Sequence, residues 1–267
     1  MNRRSPASPP LARMLAVLST ALLLTACAVT TVQVQPPPAL ATATPLAVAG
    51  RQGWLPGREL RFGDYATRAL TQRQQVQTQA CPQGCSRVEL GVYSRRFDEA
   101  LRTTTQRVGL TLVDGQGAEA DVQLVQRIDE ERRAWITRWF GVPSDVGSDF
   151  VRNIQVLGTV QPAKAGQPGW RLALADTGPQ LSGWAENDLG QRLTLSPLTQ
   201  LAGPQGPIAM PVRGLALGYA FERDGRTVAA VATSGGGTVW LSPGLHADDR
   251  LALAGLAALL LVRATEP

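Results

Sequence analysis

Residues 108–128 read VGLTLVDGQGAEADVQLVQRI, and this stretch decides the fold class. On both sides of the segment DGQG at 114–117, apolar and polar residues alternate, which is the period of a strand with one buried face. An aspartate and two glycines between two such runs favour a tight turn. The stretch therefore predicts two strands joined as an antiparallel hairpin.

The same alternation recurs along most of the chain. It predicts a hairpin around Gly63 and Asp64, with strands at 58–62 and 65–70. Further strands are predicted at 88–93, 154–160, 170–175, 181–185, 192–195, 214–221, 227–232 and 238–241. The segment 129–140 fits a helix face as well as a strand, and we favour a strand. Many short strands at close spacing predict a mainly β fold, an antiparallel sandwich or a barrel-like domain.

The end of the chain has a different pattern. Residues 251–262 are an apolar run of good helix formers, preceded by Asp248 and Asp249 and followed by Arg263. Acids at the start and a base at the end of a helix suit its dipole. We predict one C-terminal α-helix over 247–263, too short to span a bilayer and packed on the sheet.

The first 26 residues have the layout of a secretory signal. They contain three arginines, no acidic residue, and an apolar stretch at 14–24 that is shorter than a membrane-spanning helix. We therefore expect residues 1–26 to be a cleaved signal peptide.

The end of this signal carries a four-residue motif: Leu24, Thr25, Ala26 and Cys27. The motif resembles the lipobox of bacterial lipoproteins. This resemblance implies cleavage before Cys27 and acylation of Cys27, so that several acyl chains anchor the mature chain in a membrane. Ala28 stands where lipoproteins kept at the inner membrane have aspartate. The expected location is therefore the outer membrane, with the domain on the periplasmic side or at the cell surface.

The segment after the motif has the composition of a linker. Residues 27–50 contain four prolines and no charged side chain, and such a segment is expected to be a lipidated, flexible tether. Residues 51–267 then form a single β-rich domain with the C-terminal helix.

The positive net charge of the chain depends largely on the signal. Without its three arginines, 23 basic residues remain against 21 acidic ones. A surface that binds nucleic acid needs clustered positive charge, so we expect no nucleic-acid partner.

Cys81 and Cys85 are the remaining cysteines. In an oxidising compartment, a short-loop disulfide is the first expectation for such a pair. The closer Cys-x-x-Cys spacing of redox catalysts is absent, and no histidine follows as in heme attachment.

Residue types that carry catalysis or hold metals are scarce. His246 is the only histidine, and we expect it to be solvated or to cap the terminal helix. We predict no catalytic residue, no metal site and no cofactor. The acids at 129–131, Asp145 and Asp149 lack calcium-loop spacing and suit solvated loops.

Trp135, Trp139 and Phe140 form an aromatic cluster in a loop-like stretch beside Gly141. An exposed cluster of this kind is a candidate contact for a partner or for lipid headgroups. The leading hypothesis is a non-catalytic envelope lipoprotein that binds or scaffolds a protein or glycan partner. The alternative is an envelope hydrolase that acts on glycan or peptidoglycan through carboxylates.

Overall fold

Strands make up most of the computed structural model, which describes residues 33–51, 59–82, 84–176, 180–209 and 216–263. The elements are β1 Leu46–Ala47, β2 Arg61–Phe62, β3 Tyr65–Ala80, β4 Ser86–Leu90, β5 Tyr93–Val113, β6 Glu119–Trp139, β7 Val142–Pro162, β8 Trp170–Asp176, β9 Leu181–Asn187, β10 Arg192–Leu198, β11 Gln200–Gly203, β12 Gly206–Ala209, β13 Gly218–Arg223, β14 Arg226–Ala232, β15 Thr238–Leu241 and α1 Ala247–Val262.

One antiparallel sheet contains all strands except the separate hairpin of β11 and β12. Its order is β1-β15-β14-β13-β10-β9-β8-β7-β6-β5-β3-β2, and β4 also pairs with β5. Ala49, just after β1, and Arg61 in β2 exchange two backbone hydrogen bonds of 2.8 and 3.0 Å. These bonds bring the two ends of the sheet together, so that the sheet curls into a barrel-like wall.

The helix α1 fills the space that the wall surrounds. Every residue from 251 to 261 is buried, and the helix packs against β5, β6, β7, β14 and β15. A helix that is apolar around its whole circumference must be covered on all sides. This requirement explains why α1 is enclosed, whereas a helix on one face of an open sheet would keep a solvated side.

Polar contacts fix both ends of α1 to the wall. Near its start, Asp249 accepts two hydrogen bonds from the guanidinium of Arg223, at 3.0 and 3.3 Å. After its end, Arg263 donates to the hydroxyl of Tyr219 at 3.1 Å and lies over the ring of that tyrosine. His246 occupies the N-cap position, is exposed, and makes no capping hydrogen bond with its side chain.

Much of the predicted tether is packed. A short 3-10 helix, Pro38–Leu40, leads to β1, and Leu40 is only 1% exposed. Val34, Leu40 and Ala43 form a second small core with residues on the outer side of the wall, among them Leu217 and Trp240. Residues 33–49 therefore lie along the wall, while 27–32 are outside the described residues.

Three strands are far longer than the wall requires. Along β5, β6 and β7, the residues that face the interior of the wall stop near Gln106, Ile128 and Val156. Beyond these points the strands continue as a four-stranded sheet, which we call the extension: residues 75–82 and 84–90, 93–105, 129–139 and 142–153. Its length is about 40 Å at the usual rise of a strand.

The predicted fold class is confirmed: the chain is mainly β, with one C-terminal helix and a barrel-like antiparallel sheet. The strand interpretation of 129–140 is confirmed through Trp139. The single strand predicted at 88–93 is wrong, because Gly91 has φ of +56° and the chain reverses there between β4 and β5. None of the helices in the described part of the chain has the length and apolar composition that a bilayer crossing needs.

Candidate binding surface at the end of the extension

Two hairpin turns meet at the far end of the extension. Gly91 and Val92 connect β4 to β5, and Phe140 and Gly141 connect β6 to β7. The N–H of Phe140 donates to the C=O of Val92 at 2.6 Å, so the two turns are hydrogen-bonded to each other. We call this end the tip: residues 90–93 and 139–142.

The tip is apolar and open to solvent. Phe140 is 78% exposed, Leu90 68%, Val142 65% and Trp139 51%. The rings of Tyr93 and Trp139, which face each other across β5 and β6, have centroids 5.0 Å apart. Grouped apolar side chains that remain in water are characteristic of a surface that contacts another molecule.

Phe140 has a backbone conformation that phenylalanine rarely adopts. Its φ is +51° and that of Gly141 is +79°, as in a two-residue turn that favours Asn-Gly. A bulky residue in this region is strained and usually needs a compensating role. Burial provides no such role here, because most of the ring is in water. Neither the turn nor the core therefore explains an aromatic residue at 140.

One face of the extension, which we call the aromatic face, continues from the tip toward the wall. Directly paired residues lie on the same face, and the pairs on this face are Tyr93 with Trp139, Phe97 with Trp135, and Glu99 with Arg133. The ring of Trp135 lies on the backbone of Gly147, where a Cβ would be 2.1 Å from a ring carbon. Its Nε1 donates to Asp145 Oδ2 at 3.2 Å. The ring is thus held in one orientation.

A loop closed by a disulfide separates β3 from β4 along one edge of the extension, next to Glu99 of β5. Cys81 and Cys85 are bonded, with Cα atoms 5.0 Å apart, and the N–H of Cys81 donates to the C=O of Glu99 at 2.6 Å. The Glu99 side chain is 4% exposed and pairs with Arg133 Nε at 3.3 Å. This hydrogen bond, together with the charge of Glu131, raises the pKa of Arg133. A buried carboxylate requires such a partner.

An open cavity of about 540 Å³ lies beside this loop, and its lining combines aromatic, acidic and basic groups: Gly84, Arg95, Phe97, Glu99, Arg133, Trp135 and Asp149. The cavity is continuous with the aromatic face. Arginine and tryptophan are the residue types that contribute most at protein interfaces. The arrangement suits a side chain or loop of a partner.

The structure separates the predicted site residues. Trp139 and Phe140 lie at the tip, whereas Trp135 is partly buried lower on the aromatic face. The acids at 129–131 lie in β6 rather than in a loop, and Asp129 is bound by Arg127 and Thr103. Asp145 and Asp149 lie in β7. Cys27 is outside the described residues.

The sequence analysis did not identify Leu90, Val92, Tyr93 and Val142 as part of this surface. Gly91 was the available signal, because an isolated glycine inside an alternating pattern marks a break in a strand. Among the described residues, no group of three or more His, Cys, Asp or Glu side chains could hold a metal ion.

In comparisons with known proteins, no protein family, no curated protein and no solved structure matches this chain. The interpretation of the surface therefore depends on its own chemistry.

Proposed function

We propose that this chain is an outer-membrane lipoprotein, anchored by acyl chains on Cys27, that acts as a non-catalytic binding module. In this proposal the tip and the aromatic face contact a protein partner in the envelope. The observation that carries the proposal is Phe140, a strained aromatic residue that is 78% exposed. A strained backbone at a residue whose side chain is not buried is expected where that side chain serves binding.

The shape of the described part of the chain, from residue 33 onward, supports this assignment. The enclosed helix gives the wall a dense core, which is a rigid base for the extension. The extension places the apolar tip about 40 Å from that base. A binding surface at this distance reaches a partner that the anchored wall does not touch.

The proposal is tested by photo-cross-linking in living cells. A benzophenone amino acid at position 140 is expected to give a discrete protein adduct, and the adduct yield should fall when Leu90→Ser is added. Position 189 is the matched control, because Leu189 is 74% exposed but lies in the turn between β9 and β10. The proposal would be contradicted if position 140 gave no protein adduct or gave adducts with lipid only. It would also be contradicted if position 189 gave the same adducts as position 140.

A second variant separates binding from folding. Phe140→Asn removes the ring but supplies the residue that this turn prefers, so the hairpin should remain intact or become more stable. We expect the variant to unfold at the same or a higher denaturant concentration and to lose the cross-linked partner during copurification. Retention of the partner would contradict the assignment of the tip.

A further inference from the structure

The two faces of the extension carry opposite net charge. Directly paired residues lie on the same face, and the strand pairings place two arginines, Arg95 and Arg133, on the aromatic face. The same face has five acids: Glu99, Asp129, Glu131, Asp145 and Asp149. The opposite face has six arginines and three acids. A partner that docks on the aromatic face is therefore expected to be basic where it meets these acids.

The cavity on the aromatic face has one carboxylate that lacks a basic partner. Arg133 is already paired with both Glu99 and Glu131. Asp149 lines the cavity and is exposed, and it has no ion pair with any of the described residues. Arg95 also lines the cavity, but it lies two strands away on β5 and is not ion-paired with Asp149. The cavity thus has an acidic end at Asp149 that can accept a cation.

The ring of Trp135 lies next to this carboxylate. Asp145 and Asp149 are on either side of Gly147 in β7, and the ring of Trp135 rests on the backbone of Gly147. The hydrogen bond from Nε1 to Asp145 fixes the ring there. Because one side of the ring rests on the strand, the other side is directed toward the cavity that Trp135 lines. An aromatic ring and a carboxylate are therefore adjacent at the acidic end.

A guanidinium group fits this pair of groups better than an ammonium group does. It is planar, so it stacks on an aromatic ring and donates two parallel hydrogen bonds to one carboxylate. The chain contains such stacking elsewhere: the guanidinium of Arg192 lies 5.1 Å from the centre of the Trp184 ring. Neither of the cation–π contacts within the described ranges involves Trp135. Its ring is open to an arginine from another molecule.

We propose that an arginine side chain of the protein partner enters the cavity, stacks its guanidinium on Trp135 and donates hydrogen bonds to Asp149. Cation–π attraction and a charge-assisted hydrogen bond then act on the same group. The apolar residues of the partner cover the tip beside it. This inference deepens the proposed function, and it rests on that function only in assigning the arginine to a protein.

The test uses two small probes, Nα-acetyl-arginine amide and Nα-acetyl-citrulline amide, with the full-length protein in detergent. The probes have nearly the same shape, but only the arginine probe carries a positive charge. NMR spectra of the indole N–H groups follow binding, and Trp135→Phe identifies the resonance of Trp135. We expect the arginine probe to shift this resonance until the site is saturated, and the citrulline probe to leave it in place. No shift, or equal shifts from both probes, would overturn the proposal.

Two variants each remove one negative charge, from opposite faces of the extension. Asp149→Asn should weaken binding of the arginine probe about tenfold, because a charge-assisted hydrogen bond is lost. Asp98→Asn is the matched control, since Asp98 lies on the opposite face and is paired with Arg96. Binding of the probe to this variant should be unchanged. Equal weakening in both variants would assign binding to net charge alone and overturn the site.

Charge reversal tests the same site with the partner itself. Asp149→Lys and Ser148→Lys introduce lysine at adjacent exposed positions on opposite faces of β7. With the benzophenone amino acid at position 140, Asp149→Lys should lower the adduct yield at least about tenfold, whereas Ser148→Lys should leave it unchanged. An undiminished adduct in Asp149→Lys would overturn the arginine site and leave the assignment of the tip intact. Absence of an adduct in the parent chain would instead contradict the proposed function, on which the assignment to a protein rests.

Discussion

Gly255 of α1 lies directly against Val160 of β7: a methyl group on Gly255 would come within 2.6 Å of Val160 Cγ1. Gly158 on the same strand approaches the helix in a similar way, because a Cβ there would be 2.7 Å from Leu259 Cδ1. The helix and the wall are therefore in contact through two glycines. The interior has no room for additional carbon atoms at either position.

This contact predicts that Gly255→Ala destabilises the protein. Alanine improves helix propensity by about 1 kcal/mol, but overpacking of a closed interior costs about 1 to 3 kcal/mol. We expect the free energy of unfolding to fall by up to about 2 kcal/mol, the net of these two effects. Denaturant titration followed by tryptophan fluorescence measures it.

Gly236→Ala is the control for this variant, because no atom lies within 4 Å of a Cβ at that position. It should change the free energy of unfolding little. Val160→Ala makes room for the new methyl group, so the double variant should be more stable than the sum of the single effects indicates. Additive effects would contradict direct contact.

Leu256 is fully buried inside the wall, and we expect Leu256→Ala to reduce the free energy of unfolding by about 2 to 5 kcal/mol. Leu189→Ala changes a leucine that is 74% exposed and should have an effect within about 0.5 kcal/mol. Chemical denaturation of both variants gives the comparison. Similar stabilities would show that α1 is not enclosed.

Cys27→Ala is expected to leave the chain without lipid, because the thiol is the acyl acceptor in the lipobox interpretation. Metabolic labelling with palmitate should mark the parent chain and leave the variant unlabelled. Label that persists in the variant would rule out this anchor.

Reduction of the disulfide between Cys81 and Cys85 should have a modest global effect. The loop is short, and closing it contributes about 2 kcal/mol in the chain-entropy treatment. We expect Cys81→Ser/Cys85→Ser to fold and to exchange the amide hydrogens around Glu99 faster, since the loop covers that residue. Unchanged exchange near Glu99 would show that the loop does not protect it.

The carboxyl group of Asp129 makes the free energy of unfolding depend on pH in a direction that can be predicted. A hydrogen bond from Arg127, and a smaller one from Thr103, lower the pKa of Asp129. A carboxylate with a lowered pKa contributes its stabilisation above the pKa of the unfolded chain, about 4, and loses it as the pH falls further. The free energy of unfolding should therefore decrease as the pH falls below about 4.

Asp129→Asn should make this decrease smaller, and Arg127→Gln should do the same because it removes the partner. Denaturant titrations at several acidic pH values provide the measurement. The same decrease in the parent chain and in both variants would assign it to other groups.

Much of the fold was predictable because its determinants are local. The alternation in 108–128 and the turn at 114–117 specify a hairpin, and the structure has β5 and β6 at this position. The apolar run at 251–262 predicted α1. The disulfide between Cys81 and Cys85 was predicted from spacing and compartment, and the structure contains it.

The sequence by itself thus determined most strands of the wall, which face of those strands is apolar, and where the helix lies, but it did not predict the strand residues 71–80, 94–107 and 142–153. Only the tertiary structure decided that the sheet encloses α1 and that its long strands leave the wall to form the extension. The physical reason is that alternation identifies residues on a common face but does not tell how many strands lie beside them. For the same reason, only pairing between β5 and β6 could bring the turns at Val92 and Phe140 into one apolar tip.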